Sequence, residues 1–227
     1  MFSEFVNEIK EIVDALRTYG LDEVVLKPRD ERMQNDSGRP LSFQNVVYKC
    51  LKNTDLEFEY DSGATKGVII PLDADYVIKF PLYTTRGEGP VDFCAREVVV
   101  YEEAKKFGLN HMLAAVQVFK FDDIPYYVYV QEKADVNTDE NEDILLTYSS
   151  NQIAQEDYDN EDERNSAAWD YMHEMPVEDC IYAIFGEYNK YASQLVDLFL
   201  DMNINDIHSG NFGYNGGHPV LIDYSGY

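Results

Sequence analysis

NDIHSGNFGYNGGHPVLIDYSGY, running from Asn205 to Tyr227, carries the strongest signal in the chain. It sets histidines, asparagines and two aspartates among glycines. Asp206 opens it, and Asp223 follows the apolar run Val220-Leu221-Ile222. The segment GYNGGHP reads as a hairpin turn between the strands NFGY and PVLID. Such a hairpin brings Asp223 close to Asn211. An Asp and an Asn side by side are hard oxygen donors, suited to Mg²⁺ that keeps waters and phosphate oxygens as its other ligands. Asp206, five residues before Asn211, is then placed to face a hydroxyl and accept its proton. Capping of turns is the alternative use of each of these residues.

Working outward, Val177 to Met202 carries a long helical pattern, with Ile181, Ile184, Tyr188, Tyr191, Leu195 and Leu198/Phe199 on one face. Asp135 to Arg164 holds eleven Asp/Glu and one Arg, interrupted only by ILLTY, and reads as a solvated loop or mobile insertion. Further upstream the period is that of strands. LEFEYD alternates, GVII is a short apolar run and YVIKFPL is β-rich. PVDFCAREVVVYEEAKKF reads as a helix with Gly108 as its C′ residue. MLAAVQVFKF and YYVYVQEKA flank the turn DDIP as a second hairpin. At the start, Phe5, Ile9, Ile12 and Leu16 give an amphipathic helix from Glu4 to Tyr19, stopped at Gly20. Lys27 to Pro40 is a polar loop, and SFQNVVYKCLKN is a short helix with Ser42 as N-cap.

Bulk composition sets limits. A chain of 227 residues with 45% hydrophobic residues suits one large domain or two small lobes with a real core. A net charge of −25 disfavours nucleic acid and anionic membrane as direct partners and favours solubility or a basic protein partner. Cys50, Cys94 and Cys180 are scattered and odd in number, which points away from a disulfide framework or zinc ribbon and fits a reducing cytoplasm. MFSEFVNEIK has acids where a signal peptide needs a basic region, and no apolar run approaches the ~18 residues of a membrane span.

DIHSGN followed by LIDYS resembles the catalytic loop and metal-binding segment of protein-kinase-like phosphotransferases, in which Asp, four residues and Asn precede a strand leading to a metal-binding Asp. A His two places after the Asp is the variant of aminoglycoside and choline kinases. The resemblance demands a Lys on the third strand, which DYVIKF supplies as Lys79, and a Glu on the next helix, which CAREVVVYEEA supplies as Glu97. Phe93, Glu97, Val100 and Ala104 share one helix face. A carboxylate on that apolar stripe is costly unless paired, and Lys79 is its natural partner. Gln131-Glu132-Lys133 falls where an adenine ring would lie. DSGATKG takes the place of the glycine-rich loop with Gly63 and Gly67 alone, and Lys66 is placed to add charge there. Ile204 and Asn205 stand where a His-Arg pair is usual, and Tyr224-Ser225 stands where Phe-Gly is usual.

The resemblance covers Leu56 to Tyr227 and looks most like the small protein-kinase-like proteins of bacteriophages. It implies an α+β, two-lobed fold: an N-terminal helical extension (1–54), a small antiparallel-sheet N-lobe with one main helix (55–133), an acidic insertion (134–165) and a minimal, truncated, mainly helical C-lobe (166–227). It implies transfer of the γ-phosphate of Mg-ATP to a hydroxyl of a host protein, in the cytoplasm. Lys79 contacts the phosphates, Glu97 positions it, Asn211 and Asp223 hold Mg²⁺, Asp206 orients the acceptor and His208 touches the γ-phosphate. Two alternatives remain open: a pseudokinase that binds without transfer, and an acidic mimic of nucleic acid that binds a host protein.

Overall fold

The alternating segments form one five-stranded sheet. The structure is a computed structural model and describes residues 2–86, 89–156, 158 and 160–226. Its chain divides into two units, residues 1–99 with 115–133 and residues 100–114 with 134–227. The fold is α+β.

In the first unit, β1 (Phe58–Ser62), β2 (Lys66–Pro71), β3 (Tyr76–Pro81), β6 (Val116–Phe119) and β7 (Val128–Glu132) pair antiparallel in the order β1-β2-β3-β7-β6. A short ladder of β4 (Thr85–Arg86) and β5 (Gly89–Pro90) lies between β3 and α4 (Phe93–Lys106) in the chain. Side chains alternate across the pleat, so the sheet has two distinct faces. Ile69, Tyr76, Ile78, Phe80, Val128 and Val130 join one apolar core with Ile9, Leu16, Val24, Val46 and Val47. Those partners come from α1 (Val6–Thr18), α2 (Leu21–Leu26) and α3 (Phe43–Asn53). The first 54 residues therefore cover one face of the sheet, and their burial contributes several kcal/mol (about 1.5–3 per fully buried aliphatic side chain). Lys79 and Tyr129, directly paired across β3 and β7, alternate onto the other face.

Local signals in the sequence operate as read. Ser42 caps α3 in a reciprocal capping box with Asn45. Gly20, at φ 105, ends the first helix. Gly108, at φ 71, closes α4, with its own N–H on Lys105 O (3.2 Å) and the Leu109 N–H on Ala104 O (2.9 Å). Residues Phe93–Val99 of this helix group with the first unit and Val100–Lys106 with the second.

The second unit also holds α5 (Thr138–Gln152), α6 (Glu161–His173), α7 (Val177–Phe185), α8 (Lys190–Asp201) and the hairpin β8 (Phe212–Asn215) and β9 (His218–Leu221). Two expectations are corrected here. The acid-rich stretch is helical rather than a loop over Thr138–Gln152 and again from Glu161. Asn137 and Asn160 cap these helices, and acids fill their first turns, where the helix dipole favours them. Burial of Asn141, Leu145 and Ser149 at intervals of four anchors α5. Asp157 and Asp159 of this stretch lie outside the described residues. The long helix 177–202 is broken: Gly186, at φ 90, ends α7, and the Asn189 side chain caps α8 by accepting the Tyr191 N–H. Tyr188 is 97% exposed in the break, not on the buried stripe.

No helix among the described residues is long and apolar enough to cross a membrane.

Candidate functional site

In the first unit the polar centre is Glu97. It sits at the fifth position of α4, on the stripe formed by Phe93, Val100 and Ala104, and is 0% exposed. Lys79 donates to both its oxygens, at 2.9 Å (Oε2) and 3.2 Å (Oε1). Lys66, at the start of β2, donates to Oε1 at 2.7 Å. The Lys79–Glu97 pair was expected. Lys66 was placed beside phosphates and instead reaches the same carboxylate as Lys79. The reason is the pleat: Lys66 and Val68 share a face of β2, and Val68 pairs with Lys79 across the ladder, so both lysines rise from one sheet face.

Asp92 fixes the start of α4. Its Oδ1 accepts the Ala95 N–H (2.8 Å) and its Oδ2 accepts the Tyr129 hydroxyl (2.6 Å). Burial, reinforced by the bond to Asp92, pushes the Tyr129 phenol well above its ordinary range, so it stays a proton donor. Burial, followed by the Glu97 charge, does the same to the Cys94 thiol. Asp92 and Tyr129 thus orient the start of α4.

The β1–β2 turn is poorly built for phosphate. The Gly63 N–H donates to Lys66 O (3.0 Å), and space around Gly63 would admit a side chain. Gly67 is glycine for packing, because a Cβ there would lie 2.6 Å from the Phe43 ring. At the end of β7, within the segment expected beside adenine, the Glu132 N–H donates to Ala115 O (2.8 Å) and the Lys133 N–H to Asp75 O (3.0 Å). Gln131 is buried, at 1% exposure.

The second unit gathers Asp206, His208, Asn211 and Asp223. Helix α8 ends in a left-handed Asn203 (φ 52), with the Asn203 N–H on Leu200 O (3.0 Å) and the Ile204 N–H on Phe199 O (2.8 Å). This cap turns the chain into the loop that starts at Asp206. Gly216 and Gly217, at φ 55 and 81, make the two-residue β8–β9 turn, which returns the chain toward Asn211. The Asn211 N–H donates to His208 O (2.9 Å), and its carbonyl accepts the Ile222 N–H (2.8 Å). Its side-chain Nδ2 donates to Asp206 O (3.2 Å) and Asp223 O (3.3 Å). One buried amide thus ties the two aspartate segments together, and the two carbonyls dictate which end of that amide is nitrogen. The His208 Nδ1 accepts the Gly210 N–H (3.1 Å), which in the neutral ring leaves the proton on Nε2 as a donor. Asp223 Oδ1 accepts the Ser225 hydroxyl at 3.2 Å.

The donor set fits Mg²⁺ in part. Asn211 directs its nitrogen at the Asp206 and Asp223 backbone carbonyls, which turns Oδ1, a hard oxygen donor, away from them. Among the described residues no group of three or more His, Cys, Asp or Glu is placed to hold a metal. Two protein oxygens suit Mg²⁺ only when phosphate and water complete its shell.

Three further residues hold this loop. Asn141 of α5 donates to Ser209 O (2.7 Å) and Phe212 O (2.8 Å). Cys180 of α7 donates to Ile207 O (3.3 Å), and burial, reinforced by the Asp179 charge, pushes its thiol up to about 12, so it remains a donor. The Tyr224 hydroxyl donates to Ala114 O (2.7 Å). Sequence reading missed all three. The one available signal was the spacing of Asn141, Leu145 and Ser149, which the surrounding acids obscure. No protein-family model matches the chain, and no curated protein matches it.

Proposed function

We propose that the chain is an ATP-dependent phosphotransferase of protein-kinase-like type. The observation that carries this reading is the Lys79–Glu97 pair, a fully buried carboxylate on a helix joined at 2.9 Å to a strand lysine. The grouping of Asp206, Asn211 and Asp223 around one amide supports it. Lys79, held by Glu97, contacts the α/β-phosphates. Asn211 and Asp223 hold Mg²⁺, which when bound neutralises charge on the phosphates. Asp206 orients the acceptor hydroxyl and takes its proton as the new P–O bond forms and the β–γ bridge bond breaks to release ADP. His208 donates from Nε2 to the γ-phosphate. The acceptor is a hydroxyl of a protein, and the net charge of −25 favours a basic one.

Titration calorimetry of ATP with Mg²⁺ into the wild type, Asp223→Asn and Asp206→Ala tests this. Binding that requires Mg²⁺ and Asp223, with transfer lost but binding spared in Asp206→Ala, supports the assignment. Absence of binding by the folded wild type rejects it. One observation favours a second reading, nucleotide binding without transfer: the β1–β2 turn lacks a glycine-built phosphate cradle, since Gly67 is pressed on Phe43. Binding with no transfer to any protein hydroxyl, in the wild type as in Asp206→Ala, would select it.

A further inference from the structure

We propose that Asn141 is the positioning residue of the loop carrying Asp206 and Asn211, so that the acid-rich helix α5 sets the geometry of the metal ligand. The proposal rests on the phosphotransferase reading for its consequence, and on the hydrogen bonds of the second unit for its basis.

Asn141 is 0% exposed, one turn into α5. Both hydrogens of its amide nitrogen are used, on Ser209 O at 2.7 Å and Phe212 O at 2.8 Å. These carbonyls bracket the short 3₁₀ turn Ser209–Asn211. Its own Oδ1 is buried with no hydrogen-bond partner. An orphaned buried acceptor is unfavourable, and an apolar residue of the same size would avoid it. What the asparagine contributes here is therefore its nitrogen. Asn211, inside the bracketed turn, repeats the device by directing its own Nδ2 at Asp206 O and Asp223 O. The two amides act in series: α5 fixes the turn, and the turn fixes the two aspartate segments.

A separate feature holds α5 in register with this turn. Just ahead of the helix, Asp135 and Tyr214 exchange two backbone hydrogen bonds of 2.9 Å. The approach at that point is so close that a Cβ on Gly213 would lie 2.7 Å from Asp135 O. Tyr214 lies two residues beyond Phe212, so the start of α5 and the end of the loop are clamped at both the backbone and the Asn141 amide. Glu142 adds a contact at the limit of hydrogen bonding, 3.5 Å to the Ser209 hydroxyl.

The test is Asn141→Leu, which keeps the volume and removes both the donor and the orphaned acceptor. The Ser209 and Phe212 carbonyls lose their donor, so the variant should unfold somewhat earlier than the wild type. Measured where both proteins are fully folded, the expected result is at least a tenfold rise in the Mg²⁺ concentration giving half-maximal ATP binding. A Mg²⁺ requirement within twofold of the wild type would overturn the proposal. If Asn141→Leu does not fold, Asn141→Ser, which keeps one donor, is read by the same criterion. Amide hydrogen exchange without ligand gives a readout independent of the functional reading. Exchange of the Asn211 and Ile222 N–H groups should accelerate at least tenfold in the variant, and unchanged exchange overturns the clamp. A wild type that binds no Mg-ATP removes the functional reading alone, and exchange then decides the clamp.

Discussion

Replacing Glu97 by Gln removes one charge from a site where three charged side chains meet. Lys66 and Lys79 are 6% and 5% exposed, and both donate to Oε1, at 2.7 and 3.2 Å. Their nitrogens therefore lie within about 6 Å of each other, a repulsion of about 3 kcal/mol at an effective dielectric near 20. The carboxylate offsets that repulsion, and a neutral amide does not. Removing one partner of a buried ion pair costs about 3–5 kcal/mol, which brackets the Coulomb figure. Urea denaturation followed by circular dichroism should show Glu97→Gln less stable than the wild type by about 3–5 kcal/mol. Lys66→Met leaves Lys79 on the carboxylate and should cost less. In the double variant the second ammonium is gone, so Lys66→Met should recover at least ~1 kcal/mol of the Glu97→Gln loss. A Glu97→Gln protein within about 1 kcal/mol of the wild type, or additivity of the two changes, would show that the two ammonium groups are not held by this carboxylate.

Gly67→Ala should destabilise by about 1–3 kcal/mol, because the added methyl meets the Phe43 ring at 2.6 Å and that ring is itself buried against Phe80. Thermal unfolding checks this, and a wild-type midpoint would remove the packing explanation for the glycine. Glu23 titrates below its ordinary range because Lys27 and then the Met33 N–H hold its carboxylate charged, at 2.6 and 2.9 Å. A depressed folded pKa contributes stability above the unfolded value that is lost as pH falls through the folded one. Glu23→Gln should therefore be less stable by about 1 kcal/mol at pH 7, and the gap should close as the pH falls through the depressed Glu23 value. A difference that persists unchanged at pH 3 would contradict the ion-pair assignment.

Residue order alone sufficed for elements whose cause is local. The Ser42 capping box, the left-handed Gly108, the Gly216-Gly217 turn and the alternating strands each depend on a few neighbouring residues. The stripe that buries Glu97 is likewise a property of one helix, and a buried carboxylate demands a cation, so its lysine partner was legible. Stretches dense in acids were misread because charge density says nothing about the few inward positions, here Asn141, Leu145 and Ser149, that fix a helix. The break at Gly186 was missed because apolar periodicity continues across it in the sequence while the backbone does not. Which groups meet is settled by packing between distant segments. Lys66 reaches Glu97 through strand register, Gly67 is claimed by Phe43, 24 residues earlier, and Asn141 reaches a loop some 70 residues later. Such partners are chosen by long-range packing, which satisfies buried polar groups with whatever donor the fold brings within reach, and nothing in the local order of residues encodes that choice.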